Sequence, residues 1–250
     1  MTLFFSHKGR PAGPAILGMG LLLTLAIAAG ASGPRQSPSA DWRIQRERMV
    51  ETQIRARGVA DKKVLAAMGR VERHRFVPEP YRAEAYQDHP LPIGAGQTIS
   101  QPYMVALMTE LLELTGSEKV LEVGTGSGYQ AAVLAELGVE VYTIEIIPSL
   151  AASAGATLRE MGYKNIRLRT GDGYRGWPEA APFDGIMVTA APDHIPEPLL
   201  QQLKEGGRLV IPVGTGYQKL KKVRKSRGKI ETIDVLPVRF VPLTGSGVAK

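Results

Sequence analysis

No cysteine occurs anywhere in the 250 residues. That absence excludes disulfides, thiolate-bound metals and cysteine nucleophiles. It also removes any redox hint of compartment, because a chain without thiols is tolerated everywhere. Histidine is scarce: His7, His74, His89 and His194 are scattered, with no spacing that would pair them on a metal ion. A strong charge of one sign is lacking in the folded part. The net charge is +7, but residues 1–40 hold Lys8, Arg10 and Arg35 with no acid. With those set aside, 28 basic and 24 acidic side chains remain, a net of +4, which bears on solubility rather than on fold. Internal repeats are absent. Apolar residues at 44% and charged residues at 22% suit a soluble chain with one sizeable core, too short for two generous domains.

The longest apolar run, Ala15 to Ala29, follows Lys8 and Arg10 and precedes Gly30-Ala31-Ser32-Gly33-Pro34. A basic start, an apolar middle and small residues after it read as a secretory signal or a short membrane anchor. The run is shorter than the ~20 apolar residues of a spanning helix. The competing reading is an upstream extension with no targeting role. Residues 1–40 are therefore set apart as a signal- or anchor-like segment ending in a flexible linker over 30–40. Residues 41–250 form the domain, with 41–118 as its helical and loop-rich front.

Within the domain, Trp42, Met49, Val50 and Ile54 predict an amphipathic helix over 42–57 closed by Gly58. Asp61 can cap a second helix carrying Val64, Leu65 and Met68. Pro78 to Gln101 reads as one long loop, and Pro102 opens a helix to about Leu114. From residue 119 strands and helices alternate: strands over 119–123, 139–145, 166–170, 183–188 and 207–213, helices over 129–137, 149–161 and 198–204. Alternation of this kind predicts an α/β fold, a mostly parallel sheet with helices on both faces. Beyond Gly216, strands over 220–225 and 229–241 with the turn at Ser226-Arg227-Gly228-Lys229 predict an antiparallel C-terminal hairpin.

Glu122-Val123-Gly124-Thr125-Gly126-Ser127-Gly128 joins the first of these strands to its helix. Ligands of open α/β sheets lie beyond the carboxyl ends of the strands, and glycines let a ligand approach without a Cβ in the way. Alone, such a turn is shared by NAD-, FAD- and methyltransferase-type folds. Glu145 ends the next strand, where an acid can accept from two ribose hydroxyls. Gly171-Asp172-Gly173 ends the third, where Asp172 can accept from an adenine amino group. Each acid could instead be a solvated loop carboxylate; together they favour an adenosine site.

Gly96-Gln97-Thr98-Ile99-Ser100-Gln101-Pro102 is the most specific string in the chain. With Leu121 to Tyr129, Gly206 to Gly214 and Phe240-Val241-Pro242-Leu243-Thr244, it resembles the protein-L-isoaspartate O-methyltransferase family over about Met49 to Gly245. The resemblance implies a Rossmann-like class I methyltransferase fold that uses S-adenosyl-L-methionine and yields S-adenosyl-L-homocysteine. It implies methylation of the α-carboxyl of L-isoaspartyl residues in damaged proteins, after which the ester closes to a succinimide that reopens partly to aspartate. It places Ser100 at the reacting carboxylate, with Thr98, Ile99, Val241 and Pro242 around the substrate. Glu122, Gly124, Gly126, Gly128, Glu145, Asp172 and Gly173 fall on the cofactor side. Ser100 also reads as a helix cap, and both roles can hold.

Isoaspartyl proteins and peptides are thus the expected partners, with no nucleic acid, no stable protein partner and a monomer. The cofactor is made inside the cell, which points to a cytoplasmic enzyme; the alternative is tethering or export through the apolar N-terminus. The basic stretch Lys219 to Lys229 reads as a solvated edge that discourages strand pairing, or as a patch for acidic partners. Three rivals differ in chemistry: an RNA or small-molecule methyltransferase, a nucleic-acid binder on a degenerate methyltransferase fold, and an NAD-dependent oxidoreductase. The last is separable by which cofactor raises the melting temperature. Amino-group methyltransferases often carry Asn/Asp-Pro-Pro-aromatic after the fourth strand, where this chain has Thr189-Ala190-Ala191-Pro192. A nucleic-acid binder would want aromatics among its cations, and residues 219–230 have none.

Overall fold

The computed structural model describes residues 38–247. The apolar run at 15–29 and most of the linker lie outside those residues. Helix α1 (Pro38–Met49) continues through a wider turn, Val50–Ile54, and a tight one, Arg55–Arg57, to Gly58 at φ +98°. The expected helix over 42–57 is therefore one helical segment that changes pitch, with Met49, Val50 and Ile54 buried. Asp61 caps α2 (Lys62–Arg70), accepting from the amides of Lys63 at 2.7 Å and Val64 at 3.1 Å. No helix among the described residues is long and apolar enough to cross a membrane.

Residues 78–101 are not one loop. After a short turn they form a two-stranded antiparallel hairpin, β1 (Leu91–Gly94) and β2 (Gln97–Ile99), with Leu91 opposite Ile99. The hairpin turns through Gly94, Ala95 and Gly96, all at positive φ. Helix α3 (Pro102–Leu111) follows. Its N-terminal position is Gln101, so Ser100 stands one residue outside and does not cap it. The side-chain acceptor there is Asp88, whose carboxylate takes the Tyr103 amide and the Gln101 side-chain amide, each at 3.1 Å, while pairing with Arg57 at 2.5 Å.

The main sheet has seven strands in the order β5-β4-β3-β6-β7-β8-β9. These are β3 (Lys119–Val123), β4 (Glu140–Glu145), β5 (Ile166–Thr170), β6 (Phe183–Val188), β7 (Leu203–Val213), β8 (Gln218–Ser226) and β9 (Lys229–Val238). The first five are parallel and the last two antiparallel. Helices α4 (Tyr129–Glu136), α5 (Pro148–Glu160) and α6 (Glu197–Gln202) connect them. Strand β7 starts four residues before the expected 207, because Leu203 pairs with Phe183 before the chain bulges through 204–207 and resumes at Arg208. The strand alternation divides the core in two. Val120 and Val141 face α2, α3 and α4, while Leu121, Val123, Tyr142 and Ile144 face the opposite cluster with Leu199 and Leu203.

The basic stretch is not the edge of the sheet; β9 is. Most of its lysines are committed on β8. Lys219 and Lys221 pair with Asp234, Lys222 with Glu113, and Lys225 donates to the carbonyls of Leu200 and Leu203 near the end of α6.

Candidate functional site

From β3 the chain runs outward to β4 and β5, then crosses back to β6 on the other side of β3. Strand order reverses between β3 and β6, and a crevice opens there beyond the carboxyl ends. Gly124 leaves β3 at φ +98°, and a Cβ on it would fall onto the hydroxyl of Thr189, the residue after β6. Thr189 bridges the two strand ends: its amide donates to the Val123 carbonyl at 2.9 Å and its hydroxyl to the Gly124 carbonyl at 2.6 Å. The glycine is required by both its backbone angle and that close approach.

Glu145, 5% exposed, ends β4. One of its oxygens accepts from the Gly126 amide at 2.8 Å and the other from the Ile147 amide at 3.0 Å. An ionised carboxylate offers about four acceptor sites, so capacity remains on the side facing the crevice. Gly124, Gly126, Glu145, Ile146 and Gly173 line one cleft, with Val241 and Pro242 at its far wall. Gly173 packs so tightly on Val123 that a side chain there would collide with it.

The remaining expected cofactor residues do not line this cleft. Gly128 begins α4 at φ +89° and packs on Leu158 and Ala154. Asp172 caps the turn after β5 through the Tyr174 amide at 3.0 Å and holds Ser246 by its amide at 2.9 Å and its hydroxyl. Burial raises its carboxyl, but those hydrogen bonds outweigh it and hold the group below the usual carboxylate range. Glu122 is wholly buried, facing the α4 side in register with Thr143. Its Oε2 accepts from the Thr143 hydroxyl at 2.6 Å, and that hydroxyl lies 2.5 Å from the hydroxyl of Thr125 in the glycine loop. Its Oε1 has no partner among the described residues. Burial, opposed by the Thr143 bond and reinforced by the Glu145 charge, pushes this carboxyl up to about 8.

A second recess is a groove of about 800 Å³. Thr98, Ser100, Gln101 and Tyr103 form one wall, Leu236 to Pro242 the other, and Arg57 stands at the rim with its guanidinium 3.5 Å from the Tyr103 ring centre. The second wall is held by backbone pairing. Buried Gln218 imitates a strand neighbour, accepting from the Phe240 amide at 2.6 Å and donating to its carbonyl at 3.1 Å. Ala191 donates to the Val241 carbonyl and accepts from the Leu243 amide, each at 2.8 Å. A third, smaller recess lies between Ile99, Ser100, Tyr129 and the glycine loop. Thr98 and Thr189 line all three. The hydroxyl of Ser100 has no hydrogen-bond partner among the described residues, while its carbonyl accepts from Arg73 at 2.8 Å.

The expected residues thus converge from two sides, the glycine loop with Glu145 and Gly173 on one and Thr98, Ser100, Val241 and Pro242 on the other. Thr189 and Arg73 were not among them. The position of Thr189 after a strand was legible, but its bridging hydroxyl was not. Arg73, in Arg73-His74-Arg75-Phe76, carries no signal that separates it from a solvated arginine.

The sequence model of the protein-L-isoaspartate(D-aspartate) O-methyltransferase family matches residues 44–247. A protein-L-isoaspartate O-methyltransferase of Gloeobacter violaceus is 59% identical over 198 residues, covering 78% of this chain and 97% of its own. A second, from Syntrophobacter fumaroxidans, is 54% identical over 234 residues, covering 90% and 94%. Among solved structures, a protein-L-isoaspartate O-methyltransferase superposes with a TM-score of 0.74 at 30% identity, covering 80% of this chain and 66% of its own longer one. A Plasmodium falciparum structure, in complex with S-adenosyl-L-homocysteine, superposes with a TM-score of 0.72 at 27% identity, covering 80% and 98%.

Proposed function

This chain belongs to the protein-L-isoaspartate(D-aspartate) O-methyltransferase family, and on that footing we propose that it methylates the α-carboxyl group of L-isoaspartyl residues in damaged proteins. The methyl donor is S-adenosyl-L-methionine and the co-product S-adenosyl-L-homocysteine. One observation carries the geometric side of the reading. The cleft at the glycine loop and the groove under Leu236 to Pro242 share Thr98, Thr189, Val241 and Pro242 in their linings, so the donor and acceptor sites lie side by side.

The residues present fit the donor. Gly124 and Gly126, both at positive φ, put loop backbone on the cleft surface, Glu145 keeps acceptor capacity for a ribose, and Ile146 beside it, 37% exposed, offers an apolar face for a base. Glu122 and Gly128 support this surface from behind, and partly exposed Asp172, beside Gly173, is the acid for an adenine amino group. When bound, S-adenosylmethionine supplies a sulfonium methyl that is already activated.

The chain's own contribution is placement and exclusion of water. The acceptor carboxylate, with a reference pKa near 4, is ionised at neutral pH and needs no base beside it. Ser100, with its hydroxyl uncommitted to the protein, orients that carboxylate. Thr98 and Ile99 shape the approach, and Val241 and Pro242 hold the extended acceptor chain. In this reading 41–118 is the substrate-facing front of the domain, and the enzyme is a cytoplasmic monomer.

The test is the chemistry of the product. Label transferred from S-adenosylmethionine to an isoaspartyl peptide should be released as methanol in mild base, with normal aspartyl peptide accumulating over repeated cycles. A base-stable label would place the methyl on nitrogen and overturn the proposal.

A further inference from the structure

Among the described residues, Arg73 is a wholly buried cation without an acid. It is 0% exposed and pairs with no carboxylate within 4.0 Å. Its Nε donates to the Ala85 carbonyl at 2.7 Å and one terminal nitrogen to the Ser100 carbonyl at 2.8 Å. The other terminal nitrogen has no partner among the described residues. The guanidinium carbon lies 4.7 Å from the ring centre of Tyr129, the first residue of the helix after the glycine loop. Asp88, whose charge acts on it from a distance, is already committed to Arg57, Gln101 and Tyr103.

Burying an uncompensated charge is costly, and a core position of this size could be filled by an apolar side chain at no such cost. Two carbonyls and a ring face hold the guanidinium but do not neutralise it. Burial lowers its pKa only to about 10, so the group keeps its charge at neutral pH. Ser100, whose carbonyl Arg73 grips, lines the groove through which an acceptor would enter.

We propose that Arg73 is a positioning residue for the acceptor. It fixes the Thr98-Ile99-Ser100 segment through the Ser100 carbonyl, and its unneutralised charge favours an anionic group at the Ser100 hydroxyl over a neutral one. The inference rests on the isoaspartyl reading, and it adds a source of selectivity for the ionised carboxyl that touches neither substrate nor cofactor.

The experiment compares the parent with Arg73→Met and Arg73→Lys. It uses an isoaspartyl peptide as substrate and the same peptide with its α-carboxyl converted to a carboxamide as a competitive inhibitor. S-adenosylhomocysteine affinity is measured in parallel. Arg73→Met should raise the KM of the peptide roughly ten-fold or more and leave carboxamide inhibition within about three-fold. Cofactor-product affinity should stay within about two-fold. Arg73→Lys, which keeps the charge but not the forked donor, should recover much of the preference for carboxylate. An unchanged carboxylate-to-carboxamide ratio in a folded Arg73→Met variant would overturn the inference, as would equal losses of peptide, carboxamide and cofactor-product binding. If Arg73→Met does not fold, Arg73→Lys decides. A raised KM with the ratio kept supports the proposal, and a lost ratio or parent-like KM refutes it. Failure of the parent to methylate the peptide would instead refute the isoaspartyl reading itself.

Discussion

Replacing Glu122 by Gln should remove a specific pH dependence from the stability of the ligand-free protein. The carboxyl is sealed under the glycine loop with one oxygen on Thr143 and the other without a partner among the described residues. Burial pushes its pKa from the reference 4.5 up to about 8. The folded state therefore keeps a proton there through the neutral range, while the unfolded chain has released it. A raised folded pKa contributes stability that is fully present below about 4.5 and is lost as pH rises through about 8. At about 1.4 kcal/mol per unit the loss has a ceiling near 5 kcal/mol, and relaxation around the ionised form brings the expected value to about 3 kcal/mol. Glutamine has the same shape and does not titrate. Urea unfolding of parent and variant at pH 5 and pH 8.5 should show their difference shifting by about 3 kcal/mol in favour of the variant at the higher pH. Carboxyls common to both proteins cancel. Glu118, for example, is raised by burial but held at about 2 by hydrogen bonds from Thr115 and Gly116, so its contribution is lost only as pH falls from 4.5 through 2. A difference constant within about 0.5 kcal/mol across that range would refute the reasoning, leaving Glu122 an acid that ionises without penalty.

Two further substitutions separate the halves of the site. Gly124→Ala puts a methyl onto the Thr189 hydroxyl and forces φ +98° on a residue that resists it. It should weaken S-adenosylhomocysteine binding at least ten-fold, so the ligand stabilisation of about 2.7 kcal/mol at a hundred times the parent's Kd falls to about 1.4 kcal/mol or less at the same concentration; an unchanged shift would contradict this. Ser100→Ala should lower kcat/KM for an isoaspartyl peptide about ten-fold or more, with cofactor-product affinity and unfolding midpoint unchanged, because Asp88 and not Ser100 serves the start of α3. A loss of about 1 kcal/mol of stability with normal turnover would make Ser100 a cap after all.

Strands β5 and β6 match the expected spans, because Ile166 to Thr170 and Phe183 to Val188 are short, apolar or alternating, and bounded by turn residues. The glycine loop and Glu145 were equally legible, since backbone needs at a strand end write themselves into residue type. The hairpin β1–β2 was not: its strands have four and three residues, and Pro92, Gly94 and Gly96 look like loop. The Asp88 cap was hidden for another reason, as it reaches the Tyr103 amide from fifteen residues upstream, whereas local patterns place a cap next to its helix. Glu122 and Arg73 share a third kind of concealment. Nothing in sequence separates a buried charge from a solvated one; only the structure, with both residues 0% exposed, shows that these two have lost their water.

The central claim is that this site chooses between two carboxyl geometries. A pair of peptides identical except for one residue, L-isoaspartate in one and L-aspartate in the other, tests it directly with labelled S-adenosylmethionine. Label should enter the isoaspartyl peptide alone. Equal labelling of both, or of neither, would contradict the assignment.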